Sequence, residues 1–204
     1  MGVGNLTGAV IEMRLDDQPF ELIGREEKTV EVRLYDEKRK DIKVGDTIVF
    51  HNANDEANVI AARVKALHLF DTFFELFSSA LFPQTGFGAT SASEATEYMY
   101  KFYSKEREQR SGVVGIEIEV DENLSCILSK LLSVYRVYGV SNGDIISFAR
   151  LLHCKVFIEK CNLNDVLIMV YNFEEAMRDK GAVIETGEQC VIYDFINMLG
   201  LNEE

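Results

Sequence analysis

The stretch GREEKTVEVRLYDEKRKDIKVGDTIVF, residues 24–50, decides how the first half of the chain is expected to fold. Its apolar residues Val30, Val32 and Leu34 alternate with polar or charged side chains. This two-residue period is typical of a strand with one face in a core. The glycine-aspartate pair at 45–46 is typical of a turn. The stretch therefore predicts two strands that are joined by a short connection.

The rest of the first half mixes short strands with helices. Further strands are predicted at 59–67 and 111–120, and helices at 70–82 and 92–104. Ser91 with Glu94 three residues later forms a capping box at the start of the second of these helices. The sequence predicts a first domain, residues 1–120, that contains a sheet or barrel with helices packed on it.

The second half, residues 121–204, has the pattern of helices alone. Four amphipathic helices are predicted, at 124–138, 141–160, 164–181 and 186–200. Asn164 is the predicted N-cap of the third helix, and glycines follow several of the predicted ends. A unit of about 80 residues buries little apolar surface, so its hydrophobic core alone would be only marginally stable. We therefore expect this helical domain to dock on the first domain, on a second copy of the chain or on a protein partner.

The charge of the chain limits its partners. With 21 basic and 34 acidic side chains the net charge is −13, which opposes general binding to nucleic acid, and DNA binding is not expected. The basic cluster Lys38, Arg39, Lys40 and Lys43 is interpreted as a solvated turn, because acidic residues lie among its members. No stretch is apolar enough to cross a membrane, and a cytoplasmic protein is expected.

The cysteines and histidines do not form a recognisable ligand pattern. The cysteines at 126, 154, 161 and 190 lie in apolar helical segments, without the short spacing of a metal clip. The histidines at 51, 68 and 153 are far apart in the sequence. We therefore expect no metal site and no cofactor.

Three segments of the first half occur in an order that resembles a known family. They are MRLDDQPFELI, EKTVEVRLYDEKRKDIKVGDTIVF and YMYKFYSKEREQRSGVVGIEIEV. The resemblance is to the ASCH domains, the activating-signal-cointegrator homology domains with a PUA-like β-barrel. Their signature G-x-K-x-x-E-x-R is matched by Lys28, Glu31 and Arg33. The glycine departs from it, because Gly24 lies four residues before the lysine instead of two.

A second signature of the family is a helix that ends in tyrosine-serine-x-glutamate before a G-V-x-G-I strand. It is matched by Tyr103, Ser104 and Glu106, followed by GVVGIEI. The resemblance extends over about residues 10–120. It implies an α+β fold, a PUA-like mixed β-barrel with flanking helices, which is followed here by the all-α domain.

The resemblance also implies a cleft that binds RNA or a nucleotide-like or nucleoside-like ligand. Its ligand-binding residues would be Lys28, Glu31, Arg33, Tyr103 and Ser104. Some small bacterial members are amidohydrolases acting on N4-acetylcytidine, and they use a lysine and a threonine three residues downstream. Lys28 takes the lysine position and Glu31 the threonine position, so these two are the candidate catalytic residues. Whether the chain is an enzyme stays open at this point.

Strand periodicity places Glu31 and Arg33 on one face, while Lys28 has the opposite parity. Lys28 would need a twist or bulge at the start of the strand to join them. A surface ion pair between Glu31 and Arg33 is the alternative to a ligand-facing cleft. Three functions remain: binding of RNA or a nucleoside-like ligand, amide hydrolysis of an acylated nucleoside, and regulation through a protein partner of the helical domain.

Overall fold

The computed structural model describes residues 8–184, which divide into two compact units. Within these residues the first unit comprises 8–56 and 60–121, and the second comprises 57–59 and 122–184. The first unit combines a sheet with short helices, whereas residues 122–184 contain only helices. The predicted α+β class with a helical C-terminal part is therefore confirmed.

The first unit contains a five-stranded mixed sheet. Its strands are β1 (Val10–Leu15), β2 (Val30–Leu34), β3 (Thr47–Asn52), β4 (Val59–Phe70) and β5 (Val113–Val120). Their order in the sheet is β1-β3-β4-β5-β2. β1 runs parallel to β3, and β5 is antiparallel to both β4 and β2. The four strands predicted from the sequence are present, and β1 is an additional edge strand.

The alternation in β2 has the predicted effect. Val30, Val32 and Leu34 are buried and pack in one apolar cluster with Phe73 and Phe77. The residues between them in β2 have the opposite parity and lie on the other side of the strand. The turn before β3 is also confirmed, because Gly45 has a φ of 92° that favours glycine.

The sheet curls into a half-barrel. Its two edge strands, β1 and β2, are separated by three other strands in the hydrogen-bonded order. Nevertheless the Nη2 atom of Arg33 on β2 donates to the backbone oxygen of Arg14 on β1, at 3.3 Å. A flat five-stranded sheet would hold its edges about 19 Å apart, since neighbouring strands are about 4.8 Å apart. The side-chain contact across the gap therefore requires strong curvature.

The helices of the first unit are short. They are α1 (Asp17–Gly24), α2 (Phe73–Ser78), α3 (Ala92–Met99) and α4 (Lys105–Ser111). The helix predicted at 70–82 is wrong in extent, because β4 continues to Phe70 and the Thr72 hydroxyl caps α2 by accepting from the Glu75 N–H. A short 3-10 turn at Phe82–Thr85 follows.

The helix predicted at 92–104 is also wrong in extent. The predicted N-cap at Ser91 is confirmed by the Glu94 N–H, which donates to the Ser91 hydroxyl, but the Glu94 carboxylate accepts from the Thr90 N–H instead of the Ser91 N–H. However, α3 ends at Met99, and Ser104 starts the separate helix α4 by accepting from the Arg107 N–H. Because a serine that caps a helix has extended backbone, it interrupts the helical run.

The helical unit contains α5 (Glu122–Tyr135), α6 (Asn142–His153) and α7 (Leu163–Asp179). The stripe predicted for α5 is buried throughout, at Leu124, Ile127, Leu128, Leu131 and Tyr135. The helix predicted at 141–160 ends earlier, because a wider π-helical turn replaces the α-helix at Cys154–Ile158. The fourth predicted helix, 186–200, lies outside the described residues.

The N-cap predicted for the third helix is wrong by two positions. Asn162, not Asn164, caps α7, because its side chain accepts from the Asp165 N–H at 3.0 Å. The Asp165 carboxylate in turn accepts from the Asn162 N–H, at 3.3 Å, which completes a reciprocal capping box. In the part of the chain that the structure describes, none of the helices has the length and apolar character needed to cross a bilayer.

One buried carboxylate ties three short elements together. Glu108 on α4 is buried, and its carboxylate accepts from the Phe73 N–H of α2 at 2.6 Å. Its other oxygen accepts from the Tyr100 hydroxyl, just after α3, at 2.8 Å. Together with burial, which is the larger effect, this contact raises the pKa of Tyr100 to about 12.

We predict that Glu108→Ala lowers the free energy of unfolding by about 2–3 kcal/mol, because it leaves a buried N–H without an acceptor. Urea denaturation followed by circular dichroism measures the change. Gln109→Ala, on the exposed side of the same helix, is the matched control and should change it by less than about 0.5 kcal/mol. Equal effects of the two substitutions would contradict the assignment.

Candidate ligand-binding site

The first unit contains a cavity of about 590 Å³ between β1, α1, β2, the 82–89 loop and α3. Four of the predicted site residues line it, namely Lys28, Glu31, Arg33 and Tyr103. Ser104 is not among the lining residues, because its hydroxyl caps α4. Four of the five residues predicted to bind a ligand therefore line one cavity, whereas Ser104 lies outside its lining.

Lys28 reaches the cavity without the bulge that its parity had required. It precedes β2 and follows a tight turn in which Glu26 has a φ of 57°. Its backbone N–H donates to the Leu22 oxygen at 3.0 Å, which fixes the turn against α1. Its ammonium donates to the oxygens of Val30, at 3.0 Å, and Thr85, at 2.8 Å. Strand parity does not apply to a residue outside the strand.

Glu31 lies between two cations. Its Oε2 atom is 3.3 Å from the Lys28 ammonium, and its Oε1 atom is 2.8 Å from the Nε atom of Arg33. The Glu31 side chain is only 5% exposed, so the surface ion pair considered from the sequence is replaced by a buried one. Both contacts are ion pairs, and the one between Arg33 and Glu31 is the shorter.

Arg33 is held in its charged form by its neighbours. Burial alone would favour the neutral guanidine, but the Glu31 carboxylate and the Tyr103 hydroxyl together raise the pKa of Arg33 above its ordinary value. Its Nη1 atom donates to the Tyr103 hydroxyl at 3.4 Å. The site therefore holds a permanent cation next to a buried carboxylate.

The loop that covers Lys28 was not predicted as part of the site. Gly86 has a φ of 68°, and a Cβ atom added there would lie 2.8 Å from the Lys28 Cβ. The next residue, Phe87, places its ring centroid 5.7 Å from the Lys28 ammonium. The signal in the sequence was the pair of glycines in TGFGA, since only glycine allows such a close approach with a positive φ.

Aromatic side chains form the other wall. Phe87, Tyr98, Phe102 and Tyr103 all line the cavity. Tyr98 and Tyr103 face the cavity, whereas the neighbouring Tyr100 donates to the Glu108 carboxylate. Such a combination of apolar faces and few polar groups is typical of small-molecule sites, as is the volume.

A second cavity of about 660 Å³ lies at the C-terminal end of β4, where Phe70, Asp71, Thr72 and Arg110 contribute to its lining. Although it is slightly larger, its lining contains none of the charged signature residues Lys28, Glu31 and Arg33. Among the described residues no group of three or more His, Cys, Asp or Glu side chains is arranged to hold a metal ion. The buried charges make the first cavity the candidate site.

We predict that Gly86→Ala lowers the free energy of unfolding by about 1–3 kcal/mol, because it adds a positive-φ penalty to a contact with Lys28. Gly88→Ala is the matched control, since a Cβ atom there meets nothing within 4 Å. Thermal and urea denaturation of both variants measure the difference. If Gly86→Ala is as stable as Gly88→Ala, the loop does not pack on Lys28 as described.

Comparison with known proteins assigns the first unit to a family. The family model of the ASCH domain matches residues 13–122. The crystal structure of the hypothetical protein PH0355 is 36% identical with a TM-score of 0.50, over 55% of this chain and 99% of that one. The solution NMR structure of protein PF0455 from Pyrococcus furiosus is 37% identical with a TM-score of 0.47, over 55% of this chain and 98% of that one.

The crystal structure of ASCH from Zymomonas mobilis is more distant, at 16% identity and a TM-score of 0.33 over 56% of this chain and 68% of that one. No curated protein matches the chain. The family match includes both signatures and ends where α5 begins, so the resemblance predicted from the sequence is confirmed. Since the match covers more than half of its residues, the chain belongs to the ASCH domain family.

Proposed function

We propose that the cavity binds a nucleobase, which is presented by an RNA chain, a nucleotide or a nucleoside. The observation that carries this proposal is the carboxylate of Glu31, which lines the cavity and is held there by the Lys28 ammonium and the Arg33 guanidinium. An ionised carboxylate accepts hydrogen bonds and donates none. The amino and imino groups on the edges of nucleobases are donors that complement such an acceptor.

The aromatic wall supports a flat ligand. Phe87, Tyr98 and Phe102 form a series with centroid distances of 5.5 and 5.4 Å, and all three line the cavity. Aromatic side chains bind the faces of nucleobases by stacking. A base that stacks on Phe87, whose ring centroid lies 5.7 Å from the Lys28 ammonium, and donates to Glu31 would use both walls at once.

The charge of the lining favours a base over a polyphosphate. Three basic residues are present, Arg14, Lys28 and Arg33, and they are balanced by three acidic residues, Asp16, Glu31 and Glu94. A site for a nucleoside triphosphate needs an excess of cations or a metal ion. The balanced lining instead suits an uncharged base with its sugar, so we place the phosphates of any longer ligand outside the cavity.

Binding is better supported than amide hydrolysis. To act as a base or nucleophile, Lys28 would need a free electron pair on its nitrogen. Instead its ammonium donates to two backbone oxygens and lies beside Glu31. Hydrolysis of an acylated nucleoside such as N4-acetylcytidine therefore remains the alternative, as does a protein-interaction role of the helical unit.

We expect the four ribonucleosides to bind with different affinities, because their base edges carry different donors. At least one of them should shift the amide resonances of residues 31–33 and 85–89. Titration followed by 15N-resolved NMR measures both the affinity and the location. Glu31→Gln should weaken binding by about 10–100-fold, since a hydrogen bond to a charged group contributes about 1.5–3 kcal/mol.

Glu119→Gln is the control for the loss of one carboxylate, because that side chain is 61% exposed and does not line the cavity. The NMR map also gives a result that requires no variant. Nucleosides that shift no resonance, or that shift only residues far from the cavity, would contradict the proposal.

We also propose that residues 1–120 form a domain that folds without residues 121–204. Support comes from PH0355, since 99% of that chain aligns with only 55% of this one. A fragment of residues 1–121 should unfold cooperatively in urea and bind nucleosides with the affinity of the full chain. A fragment without a cooperative transition would contradict the predicted division.

A further inference from the structure

The aromatic wall of the cavity continues onto the surface. The buried Phe77 contacts Phe87 at a centroid distance of 5.1 Å, Phe87 contacts Tyr98, and Tyr98 contacts Phe102. Exposure increases along this series, to 43% for Tyr98 and 56% for Phe102. Two large aromatic side chains at the mouth of a cavity are unusual on a surface that binds nothing.

Basic residues lie beside these rings. Residues 101–110 contain four exposed cations, Lys101, Lys105, Arg107 and Arg110. Of the two acidic residues in the same segment, Glu108 is buried and accepts hydrogen bonds from within the unit. The segment therefore exposes four cations and one carboxylate, Glu106, although the chain as a whole has a net charge of −13. Arg107 also pairs with Asp36, and the exposed Glu97 lies on α3 four residues before Lys101, so Lys101 and Lys105 are the cations nearest to the exposed rings.

The cations are held close to aromatic faces. The Lys101 ammonium lies 5.0 Å from the ring centroid of Tyr98, and the Lys105 ammonium lies 4.8 Å from that of Tyr100. These distances are within the range of cation–π attraction. The contacts keep one positive charge beside the exposed ring of Tyr98 and another beside the partly buried ring of Tyr100.

We propose that a surface at the mouth of the cavity, here called the basic rim, binds single-stranded RNA, and that one base of this RNA enters the cavity. The basic rim consists of Tyr98, Lys101, Phe102 and Lys105. The next base stacks on Phe102 or Tyr98, and the phosphates between the bases pair with Lys101 and Lys105. This inference rests on the proposed function and specifies its ligand class. It requires a single strand, because the faces of bases inside a duplex are already stacked and cannot reach Phe102.

The net charge of the chain limits the length of the RNA segment that binds at the basic rim. Because the remaining surface is acidic, it repels phosphates that extend beyond the rim. The expected ligand is therefore a short segment of a few nucleotides. An acidic peptide would satisfy Lys101 and Lys105, but it has no flat groups for the two exposed rings, so RNA fits the rim better.

The experiment compares fluorescein-labelled single-stranded RNA homopolymers of about seven nucleotides with the matching free nucleosides, using anisotropy and calorimetry on the full chain. We expect the best oligonucleotide to bind at least tenfold more tightly than its nucleoside. Phe102→Ala should weaken oligonucleotide binding roughly tenfold, the effect of one lost stack. The double substitution Lys101→Ala and Lys105→Ala should reduce the slope of log affinity against log salt concentration by the equivalent of about one to two phosphate contacts.

Matched controls lie away from the rim. Tyr171→Ala removes an exposed aromatic side chain on α7, and Lys65→Ala removes an exposed lysine on β4. Neither should change the ratio of oligonucleotide to nucleoside affinity. All of the substituted side chains are exposed, so the variants are expected to fold, and circular dichroism checks this.

The outcomes separate the two proposals. Nucleosides that bind in the cavity while oligonucleotides bind no more tightly would overturn the basic rim and leave the proposed function intact. The rim is also overturned if a duplex or a polyglutamate peptide binds as well as the single strand, or if Phe102→Ala behaves like Tyr171→Ala. If neither nucleosides nor oligonucleotides bind, both proposals fail.

Discussion

A single carboxylate organises the first unit. Glu31 lies between the ammonium of Lys28 and the guanidinium of Arg33, and the side chains of Lys28 and Glu31 are almost completely buried. Buried charges are costly unless they are paired. Through Lys28 the carboxylate is linked to the backbone of the loop at Thr85, and through Arg33 to the backbone of β1 at Arg14. The same three charged side chains therefore stabilise both the curvature of the sheet and the position of the loop.

The buried charges do not balance. Two cations face one carboxylate, so the group keeps an excess positive charge. An apolar replacement of such a group would often be more stable. Proteins retain such local costs mainly at sites that bind or react. The cost of burying these charges therefore supports the proposed binding site more than it supports a contribution to folding.

The sequence predicted the parts of this unit that depend on local patterns. The alternation around Val32 predicted β2, and the Ser91 capping box predicted the start of α3. The interruption between α3 and α4 was not predicted. Glu108 on α4 stabilises this region by accepting from the Phe73 N–H, which is distant in sequence, and from the Tyr100 hydroxyl, just after α3. Among the site residues, strand parity paired Glu31 with Arg33, whereas the position of Lys28 depends on the Gly86 loop.

The distribution of charge reconciles an acidic chain with the anionic ligand that we propose. The lining of the cavity is balanced, the surface of residues 101–110 is positive, and the excess acidic side chains lie elsewhere in the chain. Attraction to phosphate falls off within about 10 Å at moderate salt, so a local group of cations acts almost independently of the distant charges. Affinity then depends on the base and on stacking, while repulsion from the remaining surface opposes long or nonspecific polyanions. A selective site needs this combination more than it needs a positive net charge.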